Sequence, residues 1–165
     1  MPGLFRPRTS DSTPDAGAAG RDLLLDGEIF ARWYMEMRFE EEAERSHRYG
    51  RPLSVLVATP SVLPGETPAP KAVHAAAAAA RAAARSMDLV GWIDERTILM
   101  LLPETAREEA RSAASRWRNE MYARSRTEGG QKWEIRIAHD WMTRPDGQER
   151  LRQILDGKAY LEVAA

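Results

Sequence analysis

No cysteine occurs anywhere in the 165 residues. That removes disulfides, thiolate zinc sites and cysteine nucleophiles from consideration, and it suits a reducing cytosol. Charge of one sign is also missing: Lys plus Arg number 24 against 25 for Asp plus Glu, a formal net charge of -1. A balance this even provides no global field to gather nucleic acid or an anionic membrane. No apolar run is long enough to span a bilayer. The first twenty residues, MPGLFRPRTSDSTPDAGAAG, lack the apolar core of a secretory signal. Their Pro, Gly, Ala, Ser and Thr content marks 1–20 as a disordered tail, which leaves 21–165 as one domain.

What is present is a soluble composition, 43% hydrophobic and 30% charged, patterned into alternating elements. From Asp26 to Tyr49 apolar residues recur at helical spacing. Ile29, Phe30, Trp33 and Met37, with Ala43, form the expected buried face, and Glu36, Glu40, Glu41 and Glu44 lie opposite. Asp26 is the expected N-cap; Gly50 and Pro52 close the helix. LSVLVA, Leu53 to Ala58, is a short apolar run of the kind buried on both faces, and predicts a central strand. The proline-rich stretch from Thr59 to Pro70 is a loop. An alanine-rich helix follows to about Asp88, with Arg81 and Arg85 on one face.

Leu89 to Ile93 and Ile98 to Leu102 are separated only by Asp94–Thr97 and predict a hairpin. Pro103, Glu104 and Thr105 open a helix running to about Arg124. Glu128 to Gly130 make a turn, and WEIRIAHDW alternates as a half-exposed strand. Pro145 to Gly147 turn again into a short helix, QERLRQILDGKAY, and YLEV adds an edge strand. This order predicts an α/β (α+β) domain, a mostly antiparallel sheet flanked by helices.

Three histidines, His47, His74 and His139, have no metal-ligand spacing. His139-Asp140 lacks a nucleophile at a recognisable elbow and reads as a solvated strand end. Arg107, Arg111, Arg116, Arg118, Arg124 and Arg126, with Trp117 and Tyr122, resemble a nucleic-acid surface. Interleaved Glu104, Glu108, Glu109 and Glu120 make a solvated helix face the better reading.

The run RSMDLVGWIDERTILMLLPET, Arg85 to Thr105, together with RYGRPLSVLV upstream, resembles the diguanylate cyclase (GGDEF) family. In that family the corresponding run reads R-x-x-D-x-V-x-R-Y-G-G-D-E-F-x-x-x-L-P-x-T, and the match is gapless. The resemblance covers about Asp22 to Val163. It implies a bacterial, cytoplasmic signalling domain with a nucleotidyl-cyclase-like fold.

The same alignment implies that the chemistry of the family has been lost. Its members join two GTP molecules into cyclic di-GMP with the help of Mg²⁺. The signature here is degenerate: Asp94, Glu95, Arg96, Thr97 and Ile98 stand where GGDEF is expected. The two glycines that admit the nucleotide become carboxylates with side-chain bulk. The metal-binding acid becomes Arg96, a fixed cation, and the next acid becomes Thr97. A further metal-binding Asp falls on Thr59, and the Asp two residues on is Ser61. The Asn-Asp, Gly-His and Gly-Asp pairs of the following loop are missing from SVLPGETPAPKAV. The resemblance therefore implies no catalysis and no bound Mg²⁺.

A second family feature is retained: Arg-x-x-Asp five residues ahead of the signature, the mark of an inhibitory cyclic di-GMP site. Arg85 and Asp88 keep that spacing. Counting without gaps from Pro103 puts the accompanying helix arginine at Arg116. Arginine can offer a bidentate pair to guanine O6 and N7, and Asp88 can accept from the guanine N–H edge. The plainer reading is a structural Arg-Asp pair worth little. The expected partners are cyclic di-GMP and a second copy or another protein; the alternative is a nucleotide-independent interaction module, using the glutamate-rich helix or the altered hairpin.

Overall fold

The computed structural model describes residues 24–25, 28–128, 132–138, 149, 153 and 162–163. In chain order these form β1 (Leu24–Leu25), β2 (Ile29–Phe30), α1 (Arg32–Tyr49), β3 (Leu53–Pro60), α2 (Pro70–Ala83), β4 (Leu89–Trp92), β5 (Ile98–Pro103), α3 (Arg107–Glu128), β6 (Trp133–Ala138) and β7 (Glu162–Val163). The strands make one sheet in the order β1-β2-β4-β5-β3-β6-β7. Only β2 and β4 run parallel; every other neighbouring pair is antiparallel.

Period-two alternation in the central strands divides the core into two layers. Leu53, Val55 and Val57 of β3 and Leu99 and Leu101 of β5 pack under α1 with Met35, Phe39 and Ala43. Leu56, Ala58, Ile98, Met100 and Leu102 face the other way, against α2, α3 and the buried Trp117. The expected central strand and hairpin are present: β3 lies between β5 and β6, and Leu89–Trp92 pairs with Ile98–Leu101. The expected edge strand is also found, as β7 on β6. Alanine packs α2 closely against the sheet and α3, with Ala76, Ala77, Ala79, Ala80 and Ala83 buried against Ala110, Ala113 and Ala114.

Several expectations are corrected. The first helix starts at Arg32 with Ala31 as N-cap, not at Asp26. Ile29 and Phe30 instead form β2, with Phe30 opposite Gly91, because the outer edge of β4 offers backbone partners that local propensity cannot foresee. The buried face of α1 is accordingly rotated to Met35, Phe39, Glu42, Ala43 and Ser46. Trp33 and Met37 are 52% and 43% exposed. Gly50 caps this helix as expected, with φ at 63°.

The alanine helix stops at Ala83, so Arg85 lies beyond it and does not share a helical face with Arg81. Pro103 to Thr105 do not open α3. Pro103 ends β5, and Glu104 takes a left-handed φ of 51°. Thr105 N–H then bonds Pro52 O at 3.2 Å. The helix begins at Arg107, where Glu109 reaches back to Ala106 N–H at 3.1 Å as half of a capping box, and it runs on to Glu128. Glu149 and Gln153 are helical. The proposed tail, the turns at 129–130 and 145–147, and His139-Asp140 lie outside the described residues. Among the described residues no helix is long and apolar enough to cross a membrane.

The glycine of LVGW is needed where β2, β4 and α1 meet. A Cβ on Gly91 would lie 2.2 Å from Met35 Cγ and 2.6 Å from Phe30 O. Met35 can swing aside, but the Phe30 carbonyl belongs to the strand paired with Gly91 and cannot. Gly91→Ala is therefore expected to cost about 1–3 kcal/mol. In urea denaturation the midpoint falls while the slope stays unchanged; an unchanged midpoint contradicts this packing.

Candidate functional site

The two sequence features lie at opposite ends of β4. Its C-terminal end leads into the hairpin turn, and its N-terminal end receives the chain leaving α2.

At the hairpin, Ile93 N–H donates to Thr97 O at 2.9 Å, and Arg96 N–H donates to the Asp94 carboxylate at 2.8 Å. An aspartate side chain that bonds the amide two residues on closes a tight turn without glycine. Asp94, Glu95 and Arg96 are exposed, while Ile98 is buried at the start of β5. Ala58 pairs with Ile98, which puts Thr59 one step beyond that pair, at the turn end of the sheet. Ser61 follows, its N–H on Lys132 O at 2.7 Å. These residues do not suit the Mg²⁺ on which the chemistry of the resembled family depends. The positions expected to supply carboxylates are Thr59, Ser61, Arg96 and Thr97, and the Asp94 carboxylate is turned back onto the backbone.

At the other end, Ala84 is extended (φ -73°, ψ 145°) and ends α2. The chain then makes a reciprocally bonded turn. Arg85 N–H donates to Asp88 Oδ2 at 2.7 Å, and Asp88 N–H donates to Arg85 O at 3.1 Å. Ser86 and Met87 form its exposed tip, with Met87 62% exposed. Arg116, midway along α3, lies against this junction and donates from Nε to Ala83 O at 3.4 Å. Its Nη2 is buried without a partner. The fold thus brings Arg85, Asp88 and Arg116 together across 31 positions of sequence, counted from Arg85 to Arg116.

Asp88 is half-buried, and burial pushes its carboxyl above the ordinary 3.8. The hydrogen bond from Arg85 N–H and the charges of Arg85 and Arg116 pull the other way without overtaking burial. Chemically, the junction is a carboxylate with one oxygen committed to the backbone, flanked by two guanidinium groups. Such a set can bind a planar edge carrying both donors and acceptors, or an anion.

Sequence reading missed two polar clusters. Glu42, 4% exposed, sits on the buried stripe of α1 between Arg38 and Arg45, which reach it at 3.1 and 3.0 Å. Arginines four before and three after a glutamate on the buried stripe were the available signal. The second cluster joins the GRPLS and LPET motifs. Ser54 Oγ donates to Thr105 O at 2.7 Å, Ser46 Oγ bonds Arg51 O, and Arg51 pairs with Glu104. This part of the motif match is structural: it ties the start of β3 to the end of β5.

No protein-family profile and no curated protein matches the sequence. Solved structures do match its fold. A DGC protein from Thermotoga maritima superposes with a TM-score of 0.61 at 18% identity, over 78% of this chain and 92% of that one. The GGDEF domain of DgcB from Caulobacter crescentus, in complex with c-di-GMP, gives 0.64 at 12% identity over 82% and 88%. Diguanylate cyclase SiaD from Pseudomonas aeruginosa, in complex with its activator SiaC, gives 0.65 at 19% over 86% and 59%. The chain has a GGDEF-like fold.

Because the folded state raises the Asp88 pKa, it binds that proton more tightly than the unfolded chain does. Stability contributed by this group is complete below pH 3.8 and is lost as pH rises through the raised native value. Asp88→Asn keeps an oxygen for Arg85 N–H and removes this dependence. Urea unfolding across the acidic range is expected to show the difference between the two proteins changing in favour of the asparagine variant as pH rises. A constant difference refutes the assignment.

Proposed function

We propose that the chain is a cyclic di-GMP receptor built on a GGDEF-like fold that no longer carries cyclase chemistry. The observation that supports it most is the Arg85–Asp88 turn, with its charged side chains set beside Arg116 and its tip exposed. In this reading the Arg85 fork takes guanine O6 and N7, and the free oxygen of Asp88 accepts from the guanine N–H edge. The arginine charges attract the phosphates. Binding at this turn requires no metal.

Loss of synthesis follows from the opposite end of β4. Asp94 and Glu95, both exposed, add negative charge and bulk at the positions the resemblance gives to the nucleotide-side glycines, and Arg96 stands at a metal-ligand position. Charge repulsion and the lack of hard ligands act together against the reaction.

A second reading, a protein-interaction module independent of nucleotide, draws on the exposed Trp33 and Met37 at the start of α1, beside Glu36 and Glu40. Apolar residues on a helix face rimmed by charge suit a protein partner or a second copy. SiaD, which shares the fold, is in complex with its activator SiaC.

Calorimetry with cyclic di-GMP separates the two. The receptor reading expects binding that falls at least about tenfold in Arg85→Ala and in Asp88→Ala, the effect of losing one charge-assisted hydrogen bond. No heat from the folded chain favours the interaction module. In a separate assay, incubation with GTP and Mg²⁺ is expected to yield no cyclic di-GMP; product formation rejects the inactive assignment.

A further inference from the structure

We infer that Arg116 is a positioning residue for this site and not a ligand contact: it holds the C-terminal end of α2 and so sets the turn that presents Arg85 and Asp88. This rests on the reading above that the turn takes cyclic di-GMP.

Two of the three guanidinium nitrogens of Arg116 are turned inward. Nε donates to Ala83 O at 3.4 Å, and Nη2 is buried with no acceptor. A nitrogen sealed from solvent is also sealed from a ligand unless the side chain moves. Ala83 is the last residue of α2, and its carbonyl is among those that a helix leaves without an intrahelical partner. A guanidinium there also meets the negative end of the helix dipole.

Arg85 is the opposite case. Its side chain is exposed, and it is tied into the turn through its backbone, N–H to the Asp88 carboxylate and O from Asp88 N–H. One residue, Ala84, separates that amide from the carbonyl that Arg116 holds, so releasing Ala83 loosens the start of the turn. Arg116 also lies close enough to Asp88 for its charge to favour the carboxylate.

The two arginines should therefore differ in what replaces them. Lysine at 116 keeps a positive donor for one carbonyl, which needs no fork. Lysine at 85 loses the planar pair that guanine recognition requires.

The test uses the full chain in two measurements. Without ligand, amide exchange by NMR follows the Arg85 and Asp88 N–H groups. Arg116→Ala is expected to speed both by on the order of tenfold, and Arg116→Lys to stay within about threefold of the parent. In titrations with cyclic di-GMP, Arg116→Lys is expected to bind within about threefold of the parent, and Arg85→Lys to lose about tenfold or more. If Arg116→Lys loses as much as Arg85→Lys, Arg116 is a ligand contact and the inference fails. It fails equally if Arg116→Ala leaves exchange unchanged. If no form binds cyclic di-GMP, the receptor reading falls, and amide exchange alone decides the positioning role.

Discussion

Pairing of β3 with β5 runs from Leu53 opposite Pro103 to Ala58 opposite Ile98, and the positions of both candidate regions depend on it. One end of this ladder fixes the hairpin turn beside Thr59. The other is tied off by Ser54 on Thr105 and Thr105 on Pro52. Slippage by one residue would turn Leu99 and Leu101 away from α1 and set Ile98, Met100 and Leu102 against it. Both faces are buried, so the register is held from two sides. β4 inherits its place from β5, and the turn that carries Arg85 and Asp88 inherits its place from β4.

The two ends of β4 differ in chemistry although they belong to one strand. At the hairpin the backbone is closed by a side chain, Asp94, where small residues would have left room for a ligand. At the α2 end the backbone closes on itself through Arg85 and Asp88, and the Arg85 side chain remains exposed. A turn that satisfies its own backbone groups can keep its charged side chain available for a partner. In the proposed reading, the first end lacks the ligands for a hard cation while the second offers a fork and a carboxylate, and that contrast supports recognition over turnover.

Much of the fold was legible in the sequence. LSVLVA and ILMLLP are too apolar for a half-exposed strand, and both proved central. Gly50 marked the end of α1 because a left-handed residue is needed there. The start of α1 was not legible. Ile29 and Phe30 continue the helical period, yet they pair with β4 across some sixty positions of sequence. Once they leave the helix, the buried face shifts from Trp33 and Met37 to Met35 and Phe39. The LPET corner misled for a similar reason: Thr105 bonds to Pro52, a partner that helix-start rules do not include.

The sequence by itself determined the alternation of elements and the hairpin, because these depend on local periodicity and residue type; that Asp94, Glu95, Arg96 and Thr97 stand at glycine and acid positions is what the resemblance implies. It also gave the spacing of Arg85, Asp88 and Arg116. Only the tertiary structure decided what those three residues do to one another. The close packing of α2 on α3 brings Arg116 to the Ala83 carbonyl, and burial at that joint outweighs two nearby positive charges at Asp88. Hydrogen-bond partners and desolvation are properties of the space around a side chain, and that space is formed by segments far apart in the chain.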